Sequence, residues 1–316
     1  MEFVWLIAGF ILLIKGADWM VRAAAKLAKS FGVSTMVIGL TVVAIGTSMP
    51  EAAIGIMSAI NHANQLTLGD VIGSSVANIA LIIGFSAVIY PLKIQSGTLS
   101  RDIPLSLLIQ IVFTVFLVTG NGINRLESIL LLIGFIGFLL FLALSSKKSG
   151  NLPASLTENE PAGKPITAMR WRNSFVTLIG LICIAGGSTL IVDNAILIAT
   201  RFGLSEALIG ITIIALGTSL PELVVSIVSV SRKEHELMVG NIIGSNIFNV
   251  LFVIGISATI NPIAFAGKIL INLVLMLITS LFFLLLAHRK KQISRPDGIF
   301  LLSFYLLFLT ISFLTS

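Results

Sequence analysis

Ten stretches of mostly apolar residues follow one another along this 316-residue chain. A helix that crosses a bilayer needs roughly 20 such residues. Charged residues make up only 11% of the chain, against about a quarter in an ordinary soluble domain. The sequence therefore predicts an all-α integral membrane protein with ten transmembrane helices. They are expected near residues 3–23, 35–60, 70–90, 103–118, 126–144, 175–195, 207–230, 241–260, 270–287 and 298–314.

Most of the basic residues fall on one side of the membrane in this scheme. Of the 20 Lys and Arg, 16 lie in connections that follow odd-numbered helices, and only Arg125, Arg201 and Lys268 lie in the others. Cytoplasmic connections carry the excess of Lys and Arg, which predicts a multi-pass protein of the cell membrane with both termini outside. The polar, proline-containing segment 145–173 is then a cytoplasmic linker. The excess of basic residues behind the net charge of +6 is thus explained by membrane topology, and no nucleic-acid partner is expected.

The chain contains an internal repeat. The segment FGVSTMVIGLTVVAIGTSMPEAAIG, which begins at Phe31, aligns without a gap with FGLSEALIGITIIALGTSLPELVVS, which begins at Phe202. Five predicted helices separate equivalent points, and because five is odd the copies enter the membrane from opposite faces. We therefore predict two inverted five-helix repeats, residues 1–144 and 174–316. Many secondary transporters have this architecture, with the substrate site at the midplane between the copies.

Both copies preserve polar residues that are costly inside a bilayer. Each contains Gly-Thr-Ser-x-Pro-Glu, which ends at Glu51 and Glu222, and a carboxylate at this depth needs a cation or another partner. The proline leaves a carbonyl one turn earlier without its usual donor. Hydroxyl and carboxamide groups recur on this helix and on the next one. They are Thr47, Ser48, Ser74 and Asn78 in the first copy and Thr218, Ser219, Ser245 and Asn249 in the second.

These groups predict a site for hard cations. Carboxylate, carboxamide and hydroxyl oxygens suit Ca²⁺, Mg²⁺ or alkali cations better than zinc or copper. Ca²⁺ accepts six to eight oxygens in flexible geometry, whereas Mg²⁺ usually keeps several of its waters. Two glutamates balance one Ca²⁺ or two Na⁺. The substrates are then ions, and we expect neither an enzyme nor a cofactor.

The paired motifs GTSMPE and GTSLPE, followed by GDVIGSSVAN and GNIIGSNIFN, resemble the two α-repeats of the sodium/calcium exchanger family, within the cation/calcium antiporter superfamily. The short linker is similar to that of prokaryotic members. The resemblance implies that Na⁺ is exchanged for Ca²⁺ by alternating access, with Na⁺ entry driving Ca²⁺ efflux. It also implies a ligand set. That set comprises Glu51, Glu222, Asn78, Asn249, Thr47, Thr218, Ser48, Ser219, Ser74 and Ser245, together with the backbone carbonyls of Ala44 and Ala215.

Two positions depart from this pattern. Asn249 stands where some relatives, potassium-dependent ones among them, carry Asp, which disfavours K⁺ coupling and leaves only two acidic groups at the centre. Asp70 stands where the second copy has Asn241. We expect Asp70 to lie at the N-terminus of a helix, with a role in ion entry as the alternative.

Other functions compete with Na⁺/Ca²⁺ exchange. Proton/calcium exchange is the main alternative, because a pair of carboxylates can also carry protons. A cation channel would use the same carboxylates, but inverted repeats with broken helices favour alternating access. An intramembrane serine hydrolase would need a base beside Ser48 or Ser219, and the three histidines lie in predicted loops or helix ends. Ca²⁺, Na⁺ and the lipid bilayer are thus the expected partners, and no obligatory protein partner is evident.

Overall fold

The computed structural model describes residues 1–148, 166–202, 215–265 and 267–315. The first half is almost entirely helical, and π-helical turns lie within or ahead of several of its helices. Its elements are α1 (Glu2–Phe31), α2 (Thr35–Ile38), a π-helical turn (Gly39–Val43), α3 (Ala44–Thr47), α4 (Met49–Ile60), α5 (Asn64–Val76), a π-helical turn (Ala77–Ile83), α6 (Gly84–Ile89), β1 (Leu92–Lys93), a π-helical turn (Thr98–Asp102), α7 (Ile103–Thr119), β2 (Gly122–Ile123) and α8 (Arg125–Lys148).

The second half repeats this order in its described residues. Its elements are α9 (Ile166–Arg201), α10 (Ala215–Thr218), α11 (Leu220–Ser231), α12 (His235–Phe248), a π-helical turn (Asn249–Ile254), α13 (Gly255–Ile260), β3 (Ile263–Ala264), a 3₁₀ turn (Gly267–Ile269), α14 (Leu270–Lys290), β4 (Gln292–Ile293) and α15 (Arg295–Thr315).

The described helices agree with a ten-helix membrane protein. Eight helical segments of the described chain are long and apolar enough to cross a membrane, and a ninth span is a pair, Thr35–Thr47 and Met49–Ile60, bent by 47°. Helices α10 and α11 fall in the span predicted at 207–230, of which residues 207–214 lie outside the described residues. The chain is therefore an all-α, multi-pass membrane protein.

Several helices are longer than the sequence predicted. The third and eighth spans begin at Asn64 and His235 rather than at residues 70 and 241. Helix α8 continues to Lys148 and α9 begins at Ile166, so both ends of the predicted 145–173 linker are helical. Charged side chains can extend from a helix end into the aqueous interface, which is why a hydropathy limit ends these helices too early. Residues 149–165 of the linker lie outside the described residues.

Two short strand pairs join the halves. Strand β1 pairs with β4 in antiparallel fashion, with Leu92 opposite Ile293, and β2 pairs with β3, with Ile123 opposite Ile263. The alignment of the repeats makes β1 equivalent to β3 and β2 equivalent to β4, so the two pairs are related by the internal symmetry. Each pair joins connections that the sequence places on the same side of the membrane. The strand pairs are therefore consistent with the predicted alternation of helix directions across the membrane.

Ion pairs at the two ends agree with the same assignment. Asp18 lies 2.9 Å from Arg22, a pair that the i, i+4 spacing on α1 favours, and 2.5 Å from Arg232, which follows α11. At the opposite end, Glu2 lies 2.7 Å from Arg201, at the end of α9. Helices α1 and α9, the first of each repeat, pack closely through glycines. A Cβ on Gly180, for example, would lie 2.6 Å from the Cβ of Met20.

Candidate cation site

The two Gly-Thr-Ser-x-Pro-Glu motifs lie where helices break. Ser48, with φ −90° and ψ 13°, separates α3 from α4, and Ser219, with φ −84° and ψ 1°, separates α10 from α11. Pro50 and Pro221 follow in the first turn of the next helix, where the missing N–H of proline is tolerated. Each glutamate therefore lies in the first turn of a new helix in the interior of the protein, beside the break.

Backbone carbonyls before the breaks already accept hydrogen bonds. The Ala44 carbonyl accepts from the Ser48 N–H at 3.0 Å and from the Thr47 hydroxyl at 3.3 Å. In the second copy, the Gly217 carbonyl accepts from the Ser188 hydroxyl of α9 at 3.1 Å. Ala215, the other alanine of the expected ligand set, is the first described residue of α10. In this conformation the Ala44 carbonyl is satisfied by the protein, so it would coordinate a cation only after these bonds shift.

Glycine allows the broken helix of the first repeat to approach α12 of the second. A Cβ on Gly244 would lie 2.7 Å from the Cβ of Ala44 and from the Leu40 carbonyl oxygen. Such contacts are closer than van der Waals packing permits, so a larger residue would separate the helices. The close approach places Ser245, the next residue of α12, beside the first repeat.

The two glutamates lie in the interior, and a hydroxyl links the repeats at one of them. Glu51 and Glu222 are each 1% exposed. The Ser48 hydroxyl of the first repeat donates to Oε1 of Glu222 at 2.8 Å, and the Ser245 hydroxyl lies 3.4 Å from the same oxygen. Oε2 of each glutamate is buried without a hydrogen-bond partner. A buried carboxylate oxygen in this state is costly unless it binds a cation or a proton.

The two asparagines use their amide nitrogens within the protein. Nδ2 of Asn78 donates to Oδ1 of Asn246 at 2.9 Å, and Nδ2 of Asn249 donates to Oγ of Ser74 at 3.1 Å. Oδ1 of Asn78 and Oδ1 of Asn249 are both buried without a partner. Both residues lie at the start of π-helical turns, which occur frequently at functional sites. The arrangement leaves acceptor oxygens, rather than donors, available to a ligand.

The threonines of the motifs also reach into the opposite repeat. The Thr47 hydroxyl donates to Oδ1 of Asn241 at 3.1 Å, and the Thr218 hydroxyl lies 3.5 Å from Oδ1 of Asp70. Asp70 is the seventh residue of α5, so the prediction of a helix N-terminal role is wrong. The helix begins with the polar residues of NQLT, which the hydropathy limit excluded.

Sequence reasoning missed one member of this network and nearly all of its connectivity. Asn246 lies between the repeats, where it accepts from Asn78 and its own Nδ2 lies 3.4 Å from the Ser75 carbonyl. The first repeat carries Ser75 at the equivalent position, so a search for preserved residues passed over it. A useful signal was present, since Asn246 follows Ser245 in a helix whose other residues are mostly apolar.

The chemistry of the site is that of oxygen ligands. Within the described ranges, no three His, Cys, Asp or Glu side chains form a compact metal-binding group. Two carboxylates surrounded by neutral oxygens remain, a set that suits hard cations. The Ser48 hydroxyl donates to a carboxylate, and His62, His235 and His288 lie in a turn or at helix ends. The arrangement does not match an activated serine nucleophile.

Helices that break beside buried carboxylates, in repeats of opposite orientation, are typical of secondary transporters. Residues 1–144 and 173–314 match the family described as sodium/calcium exchanger protein. The chain belongs to this family and is a cation/calcium exchanger rather than an enzyme.

Individual relatives support the assignment over nearly the whole length. The sodium/calcium exchanger MaX1 of Methanosarcina acetivorans is 32% identical over 344 residues, which cover 99% of this chain and 98% of that protein. The inner membrane protein YrbG of Escherichia coli is 36% identical over 318 residues, 96% of this chain and 94% of that protein. A solved sodium/calcium exchanger from Methanococcus jannaschii superimposes with a TM-score of 0.85 at 30% identity, covering 98% and 97% of the two chains.

Proposed function

We propose that this protein is a Na⁺/Ca²⁺ antiporter in which the two repeats hold Ca²⁺ or Na⁺ in turn. The observation that carries the proposal is the pair of buried glutamates, one from each repeat, each with an unpartnered oxygen. The relatives MaX1 and the Methanococcus jannaschii protein, both named as sodium/calcium exchangers, favour Na⁺ as the coupling ion.

The proposed ligands are oxygen atoms from both repeats. Glu51 and Glu222 supply the charge, which together balances one Ca²⁺ or two Na⁺. Oδ1 of Asn78 and Oδ1 of Asn249 are buried and unpartnered, so each can accept a cation without breaking a hydrogen bond. The remaining ligands come from hydroxyls and backbone carbonyls at the helix breaks. They are Thr47, Ser48, Ser74, Thr218, Ser219 and Ser245, with the carbonyls of Ala44 and Ala215.

The proposed orientation follows from the basic residues. Both termini lie on the outer side of the cell membrane, and the 145–173 linker lies in the cytoplasm. The reason is that most Lys and Arg are in the connections on the same side as the linker. In this orientation the inward Na⁺ gradient of a cell drives Na⁺ in and Ca²⁺ out. Residues 1–144 and 174–316 form the two repeats, and the ions bind between them.

The test is ⁴⁵Ca²⁺ uptake by liposomes that contain the purified protein, with Na⁺, K⁺ and pH gradients imposed one at a time. Uptake driven by an outward Na⁺ gradient, and insensitive to the K⁺ gradient, is the expected result. Uptake driven only by a pH gradient would replace the proposal with proton/calcium exchange. Liposomes with Glu222→Gln protein serve as the transport-deficient control, since they match the wild type in lipid, protein content and leak.

A further inference from the structure

The internal symmetry is broken at one charged position. Two equivalent contacts cross between the repeats. Thr47 of the first repeat contacts Asn241 of α12, and Thr218 of the second repeat contacts Asp70 of α5. In one contact the partner is a neutral carboxamide, and in the other it is a carboxylate. The two contacts are equivalent in the alignment of the repeats, at 3.1 and 3.5 Å, whereas their charge differs by one.

Asp70 is half-buried, and it lacks most of the partners that normally stabilise a carboxylate shielded from water. Its Oδ2 is buried without a hydrogen-bond partner. No Lys, Arg or His within the described ranges forms an ion pair with it. The charged groups with which Asp70 interacts electrostatically, Glu222 and Glu51, are themselves acidic. A carboxylate in such a place favours the binding of a cation.

Asp70 flanks the glutamate pair and does not join it in one compact cluster. Asp70 lies six residues after Asn64, the first residue of α5, which is about 9 Å along the helix at 1.5 Å per residue. Asn78 lies about 21 Å from Asn64 in the same direction, so Asp70 is nearer to the start of the helix. Because the repeats are inverted, Asn241 occupies the corresponding depth from the opposite face. The negative charge therefore lies on only one side of the central site.

We propose that Asp70, together with Thr218, forms a subsite for a monovalent hard cation such as Na⁺, on the side of the central glutamates where α5 begins. The proposal rests on the proposed Na⁺/Ca²⁺ exchange. A single carboxylate with a hydroxyl neighbour matches the charge of a monovalent ion. In the proposed orientation this side faces outward, so the subsite lies on the route by which Na⁺ enters, and the route to the cytoplasm carries the neutral Thr47–Asn241 pair instead.

Equilibrium binding tests the subsite without relying on transport. Purified protein in detergent is loaded with ⁴⁵Ca²⁺, and NaCl is titrated at constant ionic strength with N-methylglucamine as the inert cation. We expect Asp70→Asn to raise the Na⁺ concentration that displaces half of the Ca²⁺ by about tenfold, or ~1.4 kcal/mol, with a smaller change in the Ca²⁺ affinity itself. The matched control is Asp193→Asn, which removes an exposed carboxylate of α9.

A second variant keeps the charge and moves it to the equivalent position. Asp70→Asn combined with Asn241→Asp is expected to recover most of the Na⁺ dependence that the single variant loses, because the third charge again lies beside a motif threonine. An unchanged Na⁺ dependence in Asp70→Asn would overturn the proposal. Equal losses of Na⁺ and Ca²⁺ affinity with a lower melting temperature would also overturn it, since they would make Asp70 a structural residue. Failure of Na⁺-driven uptake in wild-type liposomes bears instead on the proposed function.

Discussion

The two repeats carry the same motif but hold their glutamates differently. In the second repeat, Glu222 accepts a hydrogen bond from Ser48 at 2.8 Å, across the interface between the repeats. Glu51 of the first repeat has no such bond, because the hydroxyl of Ser219, the residue equivalent to Ser48, is buried without a partner and donates nothing to Glu51. Oε2 is unpartnered in both glutamates, so the difference lies in the serines. Chemically matched groups thus have different partners in one conformation.

This difference shows how a nearly symmetric sequence can produce an asymmetric transporter. The Ser48–Glu222 bond and its counterpart between Ser219 and Glu51 are equivalent in composition, yet only the first is present in this structure. A transporter built from inverted repeats can reach the opposite state by exchanging the conformations of its two copies. In the proposed alternating-access cycle, we therefore expect the hydrogen bonds of the two motif serines to differ between the two states.

The largest effect should come from the glutamates themselves. Glu51→Gln and Glu222→Gln are each expected to reduce Ca²⁺ uptake by about a hundredfold or more, equivalent to ~2.7 kcal/mol, because each removes half of the charge of the central site. Both variants should retain the wild-type elution volume on size exclusion, since Gln has nearly the same shape as Glu. Near-normal ⁴⁵Ca²⁺ flux in either variant would remove that residue from the proposed site, and Asp193→Asn is the matched control.

The serines test the asymmetry directly. Ser48→Ala removes a hydrogen bond to a charged group, an interaction worth about 1.5–3 kcal/mol, so Ca²⁺ binding and flux should change by about tenfold. Ser219→Ala removes a hydroxyl with no partner in this state and should have a smaller effect on equilibrium Ca²⁺ binding. Calorimetric titration of the two purified variants compares them. Equal effects on binding would indicate that the two motif serines contribute alike to the Ca²⁺ site.

The asparagines offer a smaller change in the same comparison. Asn249→Asp adds a third charge in the second repeat and should alter ion coupling, with a shift of about threefold, or ~0.7 kcal/mol, in the half-saturating Na⁺. Asn78→Asp is the matched variant in the first repeat. Proteoliposome flux measured against Na⁺, K⁺ and pH gradients separates their effects. If both variants keep the wild-type dependence on all three gradients, the asparagine oxygens do not contribute to coupling.

The last comparison concerns packing and stability rather than transport. Gly244→Ala should lower the stability by about 1–3 kcal/mol, because the added Cβ overlaps Ala44 and Leu40. The equivalent glycine of the first repeat, Gly73, has no atom within 4 Å of an added Cβ, so Gly73→Ala should be neutral or slightly stabilising. Thermal melting in detergent compares the two variants. A melting temperature for Gly244→Ala at or above that of the wild type would show that the helices can separate without cost.

Sequence reasoning succeeded where a feature was repeated. Glu51 and Glu222 were predicted because a carboxylate in an apolar helix is costly, and its recurrence in a copy of opposite orientation favours a shared site. The structure places both in the interior and brings Ser48 and Ser245 to Glu222. Their role as cation ligands stays a prediction.

Unrepeated features could not be found in the same way. Asn246 differs from its equivalent Ser75, so comparison of the copies gave no reason to select it. Asp70 was noticed only as a departure from Asn241, and its predicted place at a helix N-terminus was wrong. The start of α5 was misplaced because a polar helical turn and a loop look alike on a hydropathy scale. The π-helical turns at Asn78 and Asn249 depend on how neighbouring helices pack, which no local sequence pattern specifies.

The two strand pairs have a consequence for how far each half of the chain depends on the other. Each joins one half to the other, at opposite ends of the molecule, and the contacts at the glutamates also cross between halves. A single five-helix half would therefore lack its strand partners, and the second half would also lack the Ser48 hydroxyl that donates to Glu222. Two identical copies inserted in opposite directions would supply every one of these contacts to each other. The architecture is thus equivalent to an antiparallel pair of five-helix units that are joined in one chain and differ at positions such as Asp70.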